Sequence, residues 1–132
     1  MRAVIADTGP LYAAFDPSDQ YHIQSQAELQ RLAQESLEVI ILYPTVLEAY
    51  SLVLQRLDTQ LALSFLESLV TGAELINPTV NDYLVAQDKV TRYPDQRITL
   101  FDAVTTVVAV RLNLPVWTYD YHFDVMQVQV WR

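Results

Sequence analysis

Apolar residues fall along this chain in two alternating kinds of run. Short blocks at Val4–Ala6, Val39–Leu42, Glu74–Ile76, Val116–Thr118 and Val128–Trp131 are bounded by polar or turn residues, as buried strands are. The longer stretches between them repeat their apolar positions at helical spacing. In Tyr21–Ala33, Ile23, Ala27, Leu29 and Leu32 recur among polar neighbours. Thr45–Leu57 and Leu61–Val70 read as successive helices, with Asp58 placed to cap the second and Gly72 to end it. Thr79–Arg92 is amphipathic, with Val80, Leu84 and Val90 on or near one face. Near the start, Thr8, Gly9 and Pro10 form a turn. Leu11–Phe15 then opens a helix, because the N–H that proline lacks has no partner in a first turn anyway, and Asp16–Asp19 break it. Strands separated by helices predict an α/β fold, a parallel sheet covered on both sides. One segment admits two readings. Phe101–Leu112 holds Val104, Thr105, Thr106, Val107, Val108 and Val110, whose branching at Cβ favours a strand. Its length and nearly continuous apolarity favour a helix buried on several sides.

Composition narrows the class. A chain of 132 residues that is 52% hydrophobic predicts one domain, residues 1–132, with a real core. It has 2 Gly and 6 Pro and no low-complexity stretch, so nothing reads as a linker or a repeat. The absence of cysteine excludes a disulfide scaffold, a thiolate metal site and cysteine catalysis. The apolar run before Asp7 is too short for a signal-peptide core or a membrane span, so a soluble, cytoplasmic protein is expected. The net charge of −8 argues against holding nucleic acid by broad phosphate neutralisation. A nucleic-acid role then requires that some carboxylates ligate metal and that basic charge come from a partner.

The acids supply candidate chemistry. Ligands of open α/β sheets bind outside the carboxyl ends of the strands. Asp7 ends the first strand and Asp120 follows the fourth. Glu48 sits in the first turns of the helix after the second strand, and Asp102 at the start of Phe101–Leu112. In a doubly wound sheet all four can meet at one edge. Four carboxylates cannot share a partly buried site while charged and unpaired, and a hard divalent cation resolves the conflict. Oxygen ligation suits Mg²⁺ or Mn²⁺. Each acid also has an ordinary reading. Asp7 and Asp120 suit turns, Glu48 an exposed helix face, and Thr99-x-x-Asp102 a capping box.

Taken in order, Ala6-Asp7-Thr8-Gly9-Pro10, Glu48 on a helix, Leu100-Phe101-Asp102-Ala103 and Thr118-Tyr119-Asp120-Tyr121-His122-Phe123 resemble the PIN-domain family, most closely its VapC-type toxins. The resemblance spans essentially the whole chain. It implies a three-layer fold, a mostly parallel central sheet flanked by helices, and makes Phe101–Leu112 a helix. It also implies Mg²⁺- or Mn²⁺-dependent endonucleolytic cleavage of RNA and, for a toxin, a cognate antitoxin. Carried over residue by residue, Asp7, Glu48, Asp102 and Asp120 are the catalytic and metal-site acids and Asp124 is a further candidate ligand. Thr8 and Thr118 match hydroxyls that assist the site on its substrate side. A general RNA-processing nuclease, or a PIN-like binding module without activity, fits the same residues.

The remaining polar and aromatic residues refine this picture. Arg92 and Arg97 flank the turn before Asp102, and their guanidinium forks match phosphate geometry. A solvated loop accounts for them equally well. Tyr119 and Tyr121 bracket Asp120, where an exposed ring can stack on a base. His22 and His122 are assigned to packing or surface, since carboxylates do the ligation. A phospho-acceptor regulatory domain also places acids at strand ends. Here Asp7 stands alone and Lys89, the only lysine, lies in a helix, which weighs against it. The Thr45–Val70 pair of helices carries few charges, so its apolar surface is a candidate homodimer face or antitoxin groove, the alternative being plain core.

Overall fold

The computed structural model describes residues 2–132. In chain order its elements are β1 (Ala3–Ala6), α1 (Thr8–Phe15), α2 (His22–Gln34), β2 (Glu38–Leu42), α3 (Tyr43–Arg56), α4 (Thr59–Gly72), β3 (Glu74–Ile76), α5 (Val80–Val90), α6 (Leu100–Leu112), β4 (Val116–Trp117) and α7 (His122–Val125). The strands form one sheet in the order β3-β2-β1-β4, every pair parallel. Ile5 lies opposite both Ile40 and Val116, and Ile40 opposite Glu74, so all four carboxyl ends reach the same edge. The chain leaves β1 toward β2 and β3 on one side and returns to place β4 on the other. The crevice at that reversal, between the ends of β1 and β4, is where such sheets bind ligands.

Alternation along each strand divides the core in two. Val4, Ala6, Ile41 and Trp117 pack with Leu11, Tyr12, Leu32, Val46, Val53, Phe65 and Leu69 of α1–α4. Ala3, Ile5, Ile40, Leu42 and Val116 face the opposite way, onto Ala86, Ala103, Val104, Val108 and Phe123 of α5–α7. Both faces of the sheet are therefore covered, which is why its strands are apolar apart from Glu38 and Glu74 at the starts of β2 and β3.

The Phe101–Leu112 segment is a helix, buried from Ala103 through Thr106 and again at Val108 and Ala109. Thr105 Oγ1 donates to the Phe101 carbonyl at 2.9 Å, which satisfies a buried hydroxyl inside the helix. Asp58 caps α4 as the pattern predicts, accepting from Leu61 N–H at 2.7 Å. Gly72 ends α4 as expected, the chain passing straight into extended backbone at Ala73 (φ −139°) without a left-handed cap. That conformation occurs instead at Asn113 (φ 56°, ψ 48°), which ends α6. The fifth strand expected at Val128–Trp131 reduces to a single parallel bridge from Val130 to Val116. β4 is itself only two residues long, and the segment enters after a turn at Gln127 (φ 61°), so there is little edge to pair with.

Candidate active site

Asp7 is the residue between β1 and α1. Its N–H donates to Trp117 O at 2.9 Å, which ties it to the end of β4. Across that gap Thr118 Oγ1 donates to Asp7 Oδ2 at 2.9 Å and accepts the Asp120 N–H at 3.0 Å. One buried hydroxyl thus orients the Asp7 carboxylate and ties the backbone of Asp120 to it. Thr8 Oγ1 donates to Glu48 Oε1, drawing the α3 carboxylate to the start of α1. Asp102 comes from the first turn of α6. Asp7, Thr8, Glu48, Thr99, Asp102, Asp120 and their neighbours line one open cleft of about 450 Å³ at the carboxyl edge of the sheet.

The cap reading of Asp102 is half right. Thr99 Oγ1 accepts the Asp102 N–H at 3.2 Å, so Thr99 caps α6. In α5, where Thr79 and Asp82 have the same spacing, the Asp82 carboxylate also accepts from Thr79 N–H, at 2.8 Å, closing a full box. No such return bond is made by Asp102 among the described residues. Its carboxylate faces the other acids.

The cost of that arrangement shows in the proton affinities. Burial pushes the Asp7 carboxyl up to about 6, against the lowering effect of the Thr118 bond, and the charges of Glu48 and Asp120 add to the rise. Burial likewise pushes Asp102 up to about 8, reinforced by the charges of Asp7 and Asp120. Among the described residues no arginine or lysine lines the cleft to offset them. Hard oxygen donors, crowded and lacking a protein cation, are the donor set that a divalent metal fits. Donor atoms of Asp102, Asp120 and His122 all lie within 4.8 Å of one another.

His122 is the residue that sequence reasoning underweighted. Its N–H donates to Asp120 Oδ1 at 2.9 Å, and this tight turn leaves ring Nδ1 3.4 Å from the same oxygen. The i, i+2 spacing from Asp120 was the available signal. Three candidates do not reach the cleft. The Asp124 carboxylate is held by Arg132 Nη2 at 2.9 and 3.1 Å and lines an adjoining hollow. Arg92 is exposed and pairs with Asp88 at 2.8 Å, one turn back along its own backbone. Arg97 is exposed in the loop between α5 and α6. Thr8 and Thr118 are in place, with their hydroxyls spent on orienting the acids.

The PIN-domain family model matches residues 4–128, and the chain belongs to the PIN-domain family. With that membership the phospho-acceptor alternative loses its footing. The chain is 34% identical over 110 residues to Ribonuclease VapC26 of Mycobacterium tuberculosis, covering 82% of this chain and 78% of that one. Among solved structures it is similar to M. tuberculosis VapC20, a toxin that cleaves the sarcin–ricin loop, with TM-score 0.86 at 16% identity, covering 98% and 99% of the two chains. It is also similar to VapBC2 of Rickettsia felis bound to a promoter DNA fragment, with TM-score 0.75 at 15% identity, covering 97% and 96%. At those identities the two structures show the shared fold.

Proposed function

We propose that this chain, acting as one nuclease domain over residues 1–132, is a divalent-metal-dependent endoribonuclease and the toxin of a toxin–antitoxin pair. The observation that carries this reading is the meeting of Asp7, Glu48, Asp102 and Asp120 in one cleft that no arginine or lysine among the described residues lines. The family membership and the ribonuclease relative supply the substrate class.

Asp7, Asp102 and Asp120 are the residues suited to hold Mg²⁺ or Mn²⁺, with Glu48 across the cleft and His122 beside Asp120. A cation in this position supplies Lewis acidity toward phosphoryl oxygens and makes water more acidic. The protein's own contribution is placement. Thr118 holds the Asp7 carboxylate and the Asp120 backbone to one another, Thr8 fixes Glu48, and the Thr99 cap fixes the first turn of α6 beneath Asp102. Such preorganisation keeps the acids from rearranging as charge develops on the substrate.

The test is cleavage of single-stranded RNA with Mn²⁺, with Mg²⁺ and with EDTA, wild type beside Asp102→Asn, and a thermal melt of each. Asn keeps the shape and the α6 cap but is a poorer ligand that leaves the cation's charge unbalanced. Cleavage should need the metal and fall by at least about a hundredfold in the variant, the scale of loss when a group stabilising transition-state charge is removed. Full activity in folded Asp102→Asn removes the central residue of this site and overturns the nuclease reading.

A further inference from the structure

Next to the acid cleft lies a second hollow of about 340 Å³, and the two share Tyr119, Asp120 and Tyr121. Tyr21, Glu28 and Trp131 complete much of its wall. That wall is stiff. Tyr119 Oη donates to Glu28, whose same oxygen accepts Trp117 Nε1 at 2.9 Å. Tyr21 packs on Tyr119 with ring centroids 4.7 Å apart. Trp131 stands edge-on to Trp117 at 6.3 Å, and the Arg31 guanidinium lies 3.9 Å from its ring centre. Glu28 lies 89 and 91 residues away from the two groups it anchors, which is why no local pattern reveals it.

Tyr121, on the ridge between the hollows, is 63% exposed, and its ring rests against that of His122 at 4.6 Å. The charge of the hollow decides what it can take. Among the described residues its one lining cation, Arg132, is bound to Asp124, while Glu28 and Asp120 also line it. A phosphate finds no free positive partner among them. A base does not need one, because its neutral π-face stacks on tyrosine whatever the net charge.

We infer that this hollow is a base-binding subsite, in which an unpaired base of single-stranded RNA, next to the phosphate at the acid cleft, stacks on Tyr121 above the Tyr21–Tyr119–Trp131 wall. A duplex keeps its bases stacked on one another, so the subsite selects single strands or loops. The inference takes its substrate class from the nuclease reading, but it stands on different residues and can fail separately.

The experiment uses the full chain and a short single-stranded RNA carrying 2-aminopurine, whose fluorescence is quenched by stacking. Binding is read with Ca²⁺ in place of Mn²⁺, and cleavage kinetics with Mn²⁺. Tyr121→Ala should raise Kd and KM about tenfold and abolish the quench, with kcat changing far less, as loss of one stacked base requires. Tyr121→Phe, which keeps the ring, should restore both. RNA binding that depends on Tyr121 without any metal-dependent cleavage supports the subsite and overturns the nuclease reading. Normal cleavage with Kd and KM unchanged in Tyr121→Ala overturns the subsite and leaves the nuclease reading intact. The subsite is equally overturned if Phe behaves like Ala, if wild type shows no affinity for the RNA, or if Tyr121→Ala spares RNA binding and loosens only a protein partner.

Discussion

Two residues, Asp82 and Asp102, follow a threonine at the same spacing and open a helix in the same way, yet they end in opposite electrostatic states. Arg111 reaches Asp82 with Nε at 2.9 Å and Nη2 at 2.7 Å, and together these bonds hold its carboxyl below the usual range. Asp102 instead lies buried beside Asp7 and Asp120, with His122 close by, and burial reinforced by the two charges pushes it up to about 8. Thr-x-x-Asp is singled out in sequence only at Thr99 and Asp102, although Thr79 and Asp82 carry the same spacing. Spacing alone does not tell which aspartate caps and which faces a cleft, because the deciding neighbours lie on other elements. The difference has a thermodynamic consequence. Asp7 and Asp102 are raised from 3.8 to about 6 and about 8, so folding takes up protons. Their favourable contribution is complete below the unfolded value and is lost as pH rises through the folded ones. In EDTA the protein should therefore melt several degrees lower at about pH 8 than at about pH 5. Added Mg²⁺ or Mn²⁺ should close the gap, since a ligand that binds only the native state stabilises it. Asp102→Asn in EDTA at about pH 8 should melt above wild type, although it has lost activity. A melting temperature that is flat or rises with pH, and no response to metal, would count against the crowded-acid account.

Among the elements, α6 carries the clearest conflict between propensity and context. Its run of β-branched residues belongs to a strand by preference, and burial on several sides makes it a helix. The resemblance to a family resolved that choice in sequence, where periodicity alone left it open. Pattern also located the four strands, and it overreached at Val128–Trp131 because composition does not reveal how short the neighbouring strand edge is. Two threonine caps allow activity to be separated from stability. Thr79→Ala and Thr99→Ala should each destabilise by about 1 kcal/mol, the usual cost of a lost N-cap. Only Thr99→Ala should also lower RNA cleavage, on the order of tenfold, as loss of a residue supporting the site's acids does. Equal activity in the two variants would show that the first turn of α6 does not position Asp102. Arg111→Ala tests the anchor between α5 and α6. It strands the Asp82 carboxylate, which is 1% exposed, and should cost about 2 kcal/mol in chemical denaturation. That loss is full at neutral pH and shrinks as acid protonates Asp82, because the folded pKa is the lowered one.

At the scale of the whole molecule, a net charge of −8 sits awkwardly with an anionic substrate, and the surface suggests how the conflict is managed. The apolar surface expected on α3 and α4 is present: Leu47 is 66% exposed, Leu63 53% and Val70 55%. Val80 (77% exposed) and Leu84 (56%) on α5 are a separate pair, among the helices that cover the opposite face of the sheet. Scattered exposed apolar residues are ordinary, but several of them on the packed helices α3 and α4 mark a contact surface. A second copy of the chain, or the apolar face of an antitoxin helix, is the partner proposed for it. An antitoxin has a further task, to bring positive charge to a cleft lined by carboxylates and, among the described residues, by no arginine or lysine. Co-expression with the product of the neighbouring reading frame should therefore yield a complex held by both means. Its formation should slow as salt rises, because charge steering is screened, while the assembled complex survives on its apolar contact. RNA cleavage should be suppressed in the complex and should return when the partner is proteolysed away. Leu47→Asp on the exposed face of α3 should weaken the assembly and spare the fold, since a charge is tolerated in water and not in a dry interface. Analytical ultracentrifugation of the chain alone and of the pair reads these outcomes. A chain that stays monomeric at high concentration and retains no co-expressed neighbour would leave the apolar surface without a partner and the toxin assignment without its antitoxin.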